Sequence, residues 1–288
     1  MKKLFLLLAV ALLAFSCTKK QGQLVPVHVQ VNDFEVSQGD IDSRDDPQSI
    51  ANYNDIKEVT LAFYNSDGSE QCKIIQQRAD ASTYSGTFGE FDLSLPMGSY
   101  TMVVLAYGTI TGCAVTLTNP TTAVFTGEHA LETFAATQAV SITNTNAVTL
   151  SATLNRIVSK LKVVSTDGKT ANASNVRITL TGGSRSFNPT TGLATDNNGF
   201  INTVGISVAV GATSTSITYL FLATDEETMD ITIDVLDSNG TSISHKFVQN
   251  VPFKRNRQTI LSGSLYNSSS NTDFEVNTTW LEDYNGGF

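Results

Sequence analysis

The sequence predicts an all-β protein of two β-sandwich domains, and three observations support this fold class. Apolar and polar residues alternate along several short segments, which is the period of a strand with one buried face. Asp-Gly or Asn-Gly pairs follow such segments at residues 67–68, 167–168 and 239–240, and these pairs readily form the tight turns of hairpins. The length of 288 residues favours two domains over one.

The predicted strands lie along most of the chain. The first presents one apolar face because four valines alternate with other residues: Val25, Val27, Val29 and Val31. Residues 59–64 are the next strand, and residues 93–105 are predicted as a strand, a Pro/Gly turn and a second strand. Residues 116–139 are predicted as a low-charge loop region with a short helix at 128–137, and residues 150–164 as a strand or strand pair. The predicted domains are residues 24–148 and 149–288.

The amino end has the features of an export signal. Lys2 and Lys3 precede an apolar run too short to span a membrane, and Cys17 follows directly after a small residue. This arrangement resembles a bacterial lipobox, so residues 1–16 are predicted as a signal peptide and residues 17–23 as a tether with Cys17 lipidated. The alternative is an ordinary secreted protein in which the cysteine is incidental.

Composition argues against several functional classes. The chain has 18 Lys and Arg against 27 Asp and Glu, a net charge of −9, so it lacks the basic surface that nucleic acid requires. Without residues 1–16, 16 basic and 27 acidic residues remain, a net charge of −11. Three His and three Cys are too scattered for a zinc site.

No catalytic arrangement emerges from the sequence, and the chain is predicted not to be an enzyme and to need no cofactor. Residues 182–185 lack the final glycine of a serine-hydrolase elbow. The acidic residues 40–46 have Asp45 where a calcium loop needs glycine, and Ala51 where it needs glutamate. A solvated acidic loop is therefore favoured over a metal site.

Two further features have open interpretations. Cys72 and Cys113 lie in the first predicted domain of an exported chain, so they either form a disulfide or stay as two buried thiols. Arg44 is the only Lys or Arg between Lys20 and Lys57, within a polar Gly/Asp/Pro linker. Such a linker is typically open to proteases, although Arg44 can also simply balance the acids beside it.

The order of these features resembles the fimbrillin-type pilins of gram-negative anaerobes, lipoprotein precursors of the major and minor fimbrial subunits of protease-matured type V pili. The matching stretches cover nearly the whole mature chain: Cys17, Arg44, residues 56–64, 95–100, 154–161 and 251–263, and the tail around Trp280. The resemblance implies two transthyretin-like β-sandwich domains in tandem after a lipoprotein signal peptide.

The resemblance also implies a route of assembly. A palmitate-bearing precursor anchored in the outer membrane is cut after Arg44 by an arginine-specific protease, which releases the strand containing residues 25–31. The carboxyl-terminal strand of another subunit then fills the open groove, and the polymer becomes a cell-surface pilus that contributes to cell adhesion. Other pilus subunits, identical or homologous, are thus the expected partners, with no role for nucleic acid.

The carboxyl-terminal tail has the pattern of a donor strand. Its apolar face is formed by residues of one parity: Phe274, Val276, Trp280 and Tyr284, with Thr278 between them. Leu281 and Glu282 interrupt the alternation. Pattern alone is equally consistent with a terminal strand folded onto its own domain, and the resemblance favours the donor strand.

The sequence therefore leaves three functions open. The first is a structural pilus subunit that assembles by strand exchange. The second is a pilus anchor or tip subunit, which keeps its leading strand or lacks a donor tail; Asp45 directly after Arg44 is not an obviously favourable neighbour for cleavage. The third is a surface glycan-binding lipoprotein, against which the single Trp argues weakly.

Overall fold

The structure is a computed structural model that describes residues 22–35, 50, 53–267 and 274–277. Across these residues the chain forms eighteen strands and one 3₁₀ helix at Ala81–Thr83, and it contains no α-helix. The all-β prediction is confirmed. The predicted signal peptide, Cys17, Arg44, Trp280 and Tyr284 lie outside the described residues.

Nine strands precede residue 157: β1 (Leu24–Glu35), β2 (Glu58–Asn65), β3 (Glu70–Gln77), β4 (Glu90–Pro96), β5 (Gly98–Tyr107), β6 (Val115–Asn119), β7 (Thr122–Phe125), β8 (Thr133–Ile142) and β9 (Val148–Arg156). Nine follow: β10 (Ser159–Ser165), β11 (Asn175–Leu180), β12 (Ser186–Phe187), β13 (Phe200–Gly205), β14 (Thr215–Leu220), β15 (Glu226–Leu236), β16 (Ser242–Lys254), β17 (Gln258–Gly263) and β18 (Glu275–Asn277).

The first sandwich is a single seven-stranded sheet folded on itself. Its strand order is β3-β2-β5-β8-β9-β1-β4, and β8 joins β9 through only two residue pairs, Phe134 with Arg156 and Ala135 with Asn155. The sheet therefore divides into the layers β3-β2-β5-β8 and β9-β1-β4. Alternate residues of both layers meet in the first core, which includes residues from Val25 to Leu154.

The second sandwich encloses its core between two four-stranded sheets, ordered β14-β10-β17-β18 and β13-β11-β15-β16. The strand period is plain in β15, where Met229, Ile231 and Ile233 are buried in this second core. The second core includes residues from Leu161 to Tyr266.

A third core joins the two sandwiches. Strands β2 and β5 are buried on both faces: Leu61 points into the first core, and its neighbour Ala62 packs in the third. Phe187 and Phe221 come from the second half of the chain and stack with ring centroids 4.1 Å apart. The outer face of β2 and β5 is therefore covered by apolar side chains from the second half of the chain.

The predicted division between residues 148 and 149 remains a prediction, although the packing favours a later position. It falls at the start of β9, whose Ala152 and Leu154 lie in the first core. We propose that the boundary lies after Arg156.

The predicted loop and short helix within residues 116–139 are wrong, because that segment forms β6, β7 and most of β8. Strand β8 pairs with β5 along its whole length, from Tyr107 with Thr133 to Gly98 with Ile142. Ten residue pairs with a buried strand outweigh the weak local preference of this alanine-rich stretch.

Two of the three predicted turns close hairpins. Gly68 adopts a φ of 80° between β2 and β3, and Gly240 adopts a φ of 81° between β15 and β16. The predicted hairpin at residues 167–168 is wrong, because β10 pairs with β14 and β17, whereas the next strand, β11, belongs to the other sheet. The turn at Pro96–Gly98 carries the chain from one layer of the first sandwich to the other, since β4 pairs with β1 and β5 with β2 and β8.

Candidate functional site

The leading strand β1 is an internal strand of its layer. It pairs antiparallel with β4 from Leu24 to Gln30, and parallel with β9 from Val27 to Glu35. Both of its edges are therefore occupied. Removal of β1 would expose the unpaired edges of β4 and β9 with an apolar floor between them, which is a surface that another strand can fill.

The side chains of β1 explain why it holds this position. All four valines of the predicted apolar face are buried, with exposed fractions between 0% and 4%: Val25, Val27, Val29 and Val31. They pack against Phe91, Leu93 and Leu95 of β4 within the first core. Full burial of a valine contributes about 1.5–3 kcal/mol, so the four together fix β1 firmly.

The segment that follows β1 is anchored at both ends. The strand ends at Glu35, and the chain is described again at Ile50, which is buried in the first core. The Arg78 guanidinium donates a hydrogen bond of 2.6 Å to the Ile50 carbonyl oxygen. Gly89 packs so closely that a Cβ there would lie 2.6 Å from Ile50 Cγ2. Arg44 therefore belongs to a segment whose two ends are fixed on the first sandwich.

The predicted donor tail is placed only at its beginning. Strand β18 pairs antiparallel with β17 through three residue pairs, at the edge of its sheet. Phe274 is half-buried against the second core, and Val276 is 38% exposed. The described part of the tail thus lies on its own chain, and all three residues of β18 are exposed.

A carboxylate that the sequence analysis assigned to a hairpin instead anchors the chain just before the tail. Asp167 accepts hydrogen bonds of 2.7–2.9 Å from the backbone amides of Leu265, Tyr266 and Asn267, and another from the Ser264 hydroxyl. Burial alone would raise its pKa, but these four donors outweigh burial and lower it. The buried Lys246 adds a bond of 2.6 Å from Nζ to the Asn267 carbonyl oxygen. We call residues 264–267 with Asp167 the tail anchor.

Replacing Asp167 with asparagine is expected to lower the free energy of unfolding by about 1.5–3 kcal/mol, because an amide cannot accept all four hydrogen bonds of a carboxylate. The pKa in the folded state lies below 3.8, so this stabilisation is complete above pH 3.8 and is lost as the pH falls through the folded-state pKa. Unfolding curves of the two proteins, measured from neutral to acid pH, should therefore converge in acid.

The matched control for this variant is Asp237→Asn. Asp237 also accepts two backbone hydrogen bonds of 2.9 Å, from Asn239 and Thr241, but in the exposed turn between β15 and β16. Its replacement should have the smaller effect. Equal losses of stability in the two variants would contradict an anchoring role for Asp167.

Of the two alternatives for Cys72 and Cys113, the bridge between them is not formed. Cys113 is a free, buried thiol, and its Sγ donates to the His129 carbonyl oxygen at 3.5 Å. The physical reason is packing: Cys72 of β3 points into the first core, whereas Cys113 lies in the third core on the other side of the sheet. Burial raises the pKa of the Cys113 thiol.

The described residues do not bring the three histidines together. Each histidine has a different partner: His28 contacts Asp92, His129 contacts Asn202 and His245 contacts Asp234. Ser184, from the stretch that resembled a hydrolase elbow, is buried and accepts from the Ser186 amide. Within the described ranges, no group of three or more metal-ligating side chains comes together. Among the described residues, no helix is long and apolar enough to cross a membrane.

The sequence analysis missed the tail anchor and a group of basic residues near the end of β1: Arg156, Lys254, Arg255 and Arg257. These four line one cavity between the two sandwiches. Arg156 hydrogen bonds to Asn256 across 100 residues of sequence, so no local pattern could have grouped them.

Several solved structures share this fold. A candidate adhesin from Bacteroides thetaiotaomicron superposes with a TM-score of 0.52 at 9% identity, covering 90% of this chain and 98% of that chain. A candidate adhesin from Bacteroides ovatus gives 0.52 at 9% identity, over 88% and 93% of the two chains. The fimbrial anchor protein from Porphyromonas gingivalis gives 0.50 at 12% identity, over 88% and 98%.

At such low identities these similarities establish the fold and do not by themselves assign a function. No match was found among proteins of curated function. A family model described as a family of unknown function, DUF6562, matches residues 39–287. Because this match covers most of the sequence, the chain belongs to the DUF6562 family.

Proposed function

We propose that this chain is a structural subunit of a fimbria that assembles by strand exchange and contributes to cell adhesion. The precursor is exported, lipidated at Cys17 and held at the outer membrane. An arginine-specific protease cuts after Arg44, β1 leaves, and the tail of another subunit takes its place. The mature subunit then belongs to a pilus at the cell surface.

The position of β1 carries this proposal. It is an internal strand bounded on both edges, and the backbone leads from it to β2 through the segment that contains Arg44. A cut in that segment breaks the backbone connection between β1 and the strands that follow it. The space that it vacates is already shaped for an extended strand with alternating apolar side chains.

The tail supports the other half of the exchange. Its apolar residues occur at every second position, as the valines of β1 do. The described strand of the tail, β18, makes only three residue pairs with β17. A strand this short and exposed is released at small cost. The shared fold of candidate adhesins and a fimbrial anchor protein is consistent with the same role.

Two alternatives retain specific support. A pilus anchor that keeps β1 is favoured by the similarity to the fimbrial anchor protein from Porphyromonas gingivalis. A surface glycan-binding lipoprotein is favoured by a second cavity of about 900 Å³, whose wall includes Phe200, Ile201 and Arg177. Binding of uncut monomer to a glycan array would support the latter.

Treatment of the purified chain lacking residues 1–17 with an arginine-specific protease is expected to yield a ladder of oligomers on native gels. The matched control is Arg44→Lys, which keeps the charge but removes the cleavage site, and it should stay monomeric. Cleavage after Arg44 without a ladder would contradict strand exchange and favour the anchor. A ladder from the Arg44→Lys protein would contradict the requirement for this cut.

A further inference from the structure

The cavity between the two sandwiches has an unusual charge for this protein. It measures about 450 Å³ and lies between the ends of β8 and β9, residues 189–192 and the turn at residues 254–257. Its charged lining residues are all basic: Arg156, Lys254, Arg255 and Arg257. The cavity lining thus carries basic side chains and no carboxylate, which suits it to an anionic group.

Three of the four basic side chains are paired with carboxylates that do not line the cavity. Arg156 pairs with Glu132 at 2.9 Å, Lys254 with Glu226 at 2.6 Å and Arg255 with Asp225 at 2.7 Å. Arg255 also donates a hydrogen bond of 2.7 Å to the Thr191 carbonyl oxygen. At Gly192, a Cβ would lie 2.8 Å from the Arg255 guanidinium, so the loop packs directly on it. The guanidinium is therefore positioned before any ligand arrives.

The cavity adjoins one end of the groove that β1 fills. Asn155 lines the cavity and also pairs with Glu35, the last residue of β1. The groove and the cavity are thus continuous at the carboxyl end of β1. The opposite end is bounded by residues 94–98 and 143–148, which include no charged residue. The two ends of the groove therefore differ in charge.

The tail has the same two-residue spacing as β1, and the spacing is interrupted after the fourth residue in both segments. Four residues at two-residue spacing, Phe274, Val276, Thr278 and Trp280, correspond in order to Val25, Val27, Val29 and Val31. The tail alternation breaks after Trp280, and β1 shifts register against β9 after Val31. Two residues after the fourth member, both segments carry an acidic residue, Asp33 in β1 and Glu282 in the tail.

We propose that the tail of a second copy enters the groove parallel to β9, with Glu282 and Asp283 directed to the basic cavity. This inference rests on the strand exchange proposed above and adds the direction, the register and the residues that select them. With Trp280 in the place of Val31, the two acids lie one or two residues from Asn155, at about 3.3 Å per residue. An antiparallel tail would place them at the uncharged end.

Charge reversal tests the partner surfaces. In the protease assay, Arg255→Glu with Arg257→Glu should slow ladder formation about tenfold at low salt, and the difference should shrink at high salt. The control is Lys162→Glu with Arg185→Glu, which changes the net charge equally at positions outside this cavity. Glu282→Lys with Asp283→Lys should slow assembly as well, without altering any residue that lines the cavity. Combining reversed cavity and reversed tail should restore the rate.

Cross-linking tests the direction independently of the basic residues. Copies carrying Tyr284→Cys, which takes the place of Glu35 opposite Asn155, are mixed with copies carrying either Asn155→Cys or Met97→Cys, which lie at the two ends of the groove. Parallel entry predicts an intermolecular disulfide with Asn155→Cys, whereas a disulfide with Met97→Cys would overturn the proposal. If the unmodified chain forms no ladder, strand exchange itself fails. If the unmodified chain forms a ladder and neither charge reversal changes its rate of assembly, strand exchange stands and the proposed direction and register are contradicted.

Discussion

Replacing Glu132 with alanine is expected to lower the free energy of unfolding by about 3–5 kcal/mol, because it leaves a buried guanidinium without its counter-charge. The side chains of Glu132 and Arg156 are only 10% and 4% exposed, and Arg156 Nε lies 2.9 Å from Glu132 Oε1. The Tyr53 hydroxyl lies 3.2 and 3.3 Å from the two carboxylate oxygens of Glu132. The variant therefore disturbs the ion pair and the segment that follows the Arg44 linker together.

Chemical denaturation is the direct measurement, with two comparisons. Glu226→Ala removes an ion pair of similar length, 2.6 Å to Lys254, but Glu226 is 59% exposed and its loss should cost no more than about 1 kcal/mol. Glu132→Leu combined with Arg156→Met removes both charges and should recover much of the stability. A loss below about 1 kcal/mol for Glu132→Ala would show that the buried ion pair is not a main support of this junction.

Deleting residues 274–288 is expected to abolish the oligomer ladder while leaving the monomer folded. The proposed exchange has no other donor strand, so the effect on assembly should be complete. The cost in stability should be small, because Glu275, Val276 and Asn277 are exposed and, among the described residues 274–277, Phe274 alone packs against the second core. Native gels after protease treatment and a thermal melt of the uncut chain measure the two effects.

A substitution of the tail provides the matched control. If the tail and β1 occupy the same groove, then a chain whose residues 274–284 are replaced by the sequence of residues 25–35 should again form a ladder. A scrambled tail of the same composition should not. Persistence of polymers in the deletion variant would show that another segment is the donor.

Strands in which buried and exposed side chains alternate could be predicted from the sequence. The four valines of β1 alternate over seven residues, and every one of them is buried. The turns at Gly68 and Gly240 were equally plain, because a positive φ favours glycine there. In these places a local requirement of the backbone or of one strand face fixes the residue type.

Features set by long-range contacts were not predictable. Strand β8 begins in a stretch rich in alanine and threonine, and it is a strand because β5 offers it ten partners. Asp167 stands before a glycine, which suggested a hairpin, but its donors lie 97–100 residues further along the chain. The basic cavity combines Arg156 with residues 254–257, which only the packing of two sandwiches brings together.

The tail anchor also determines how a pilus of such subunits would carry tension. A pull on a tail held in the next subunit enters at Asn267 and reaches β17, which runs parallel to β10 from Gln258 to Gly263. The force acts along these strands, so their hydrogen bonds are loaded in shear and must break together. Asp167, directly beyond β10, ties the loaded end back to that strand. The subunit should therefore resist extension far better than the short pairing of β18 suggests.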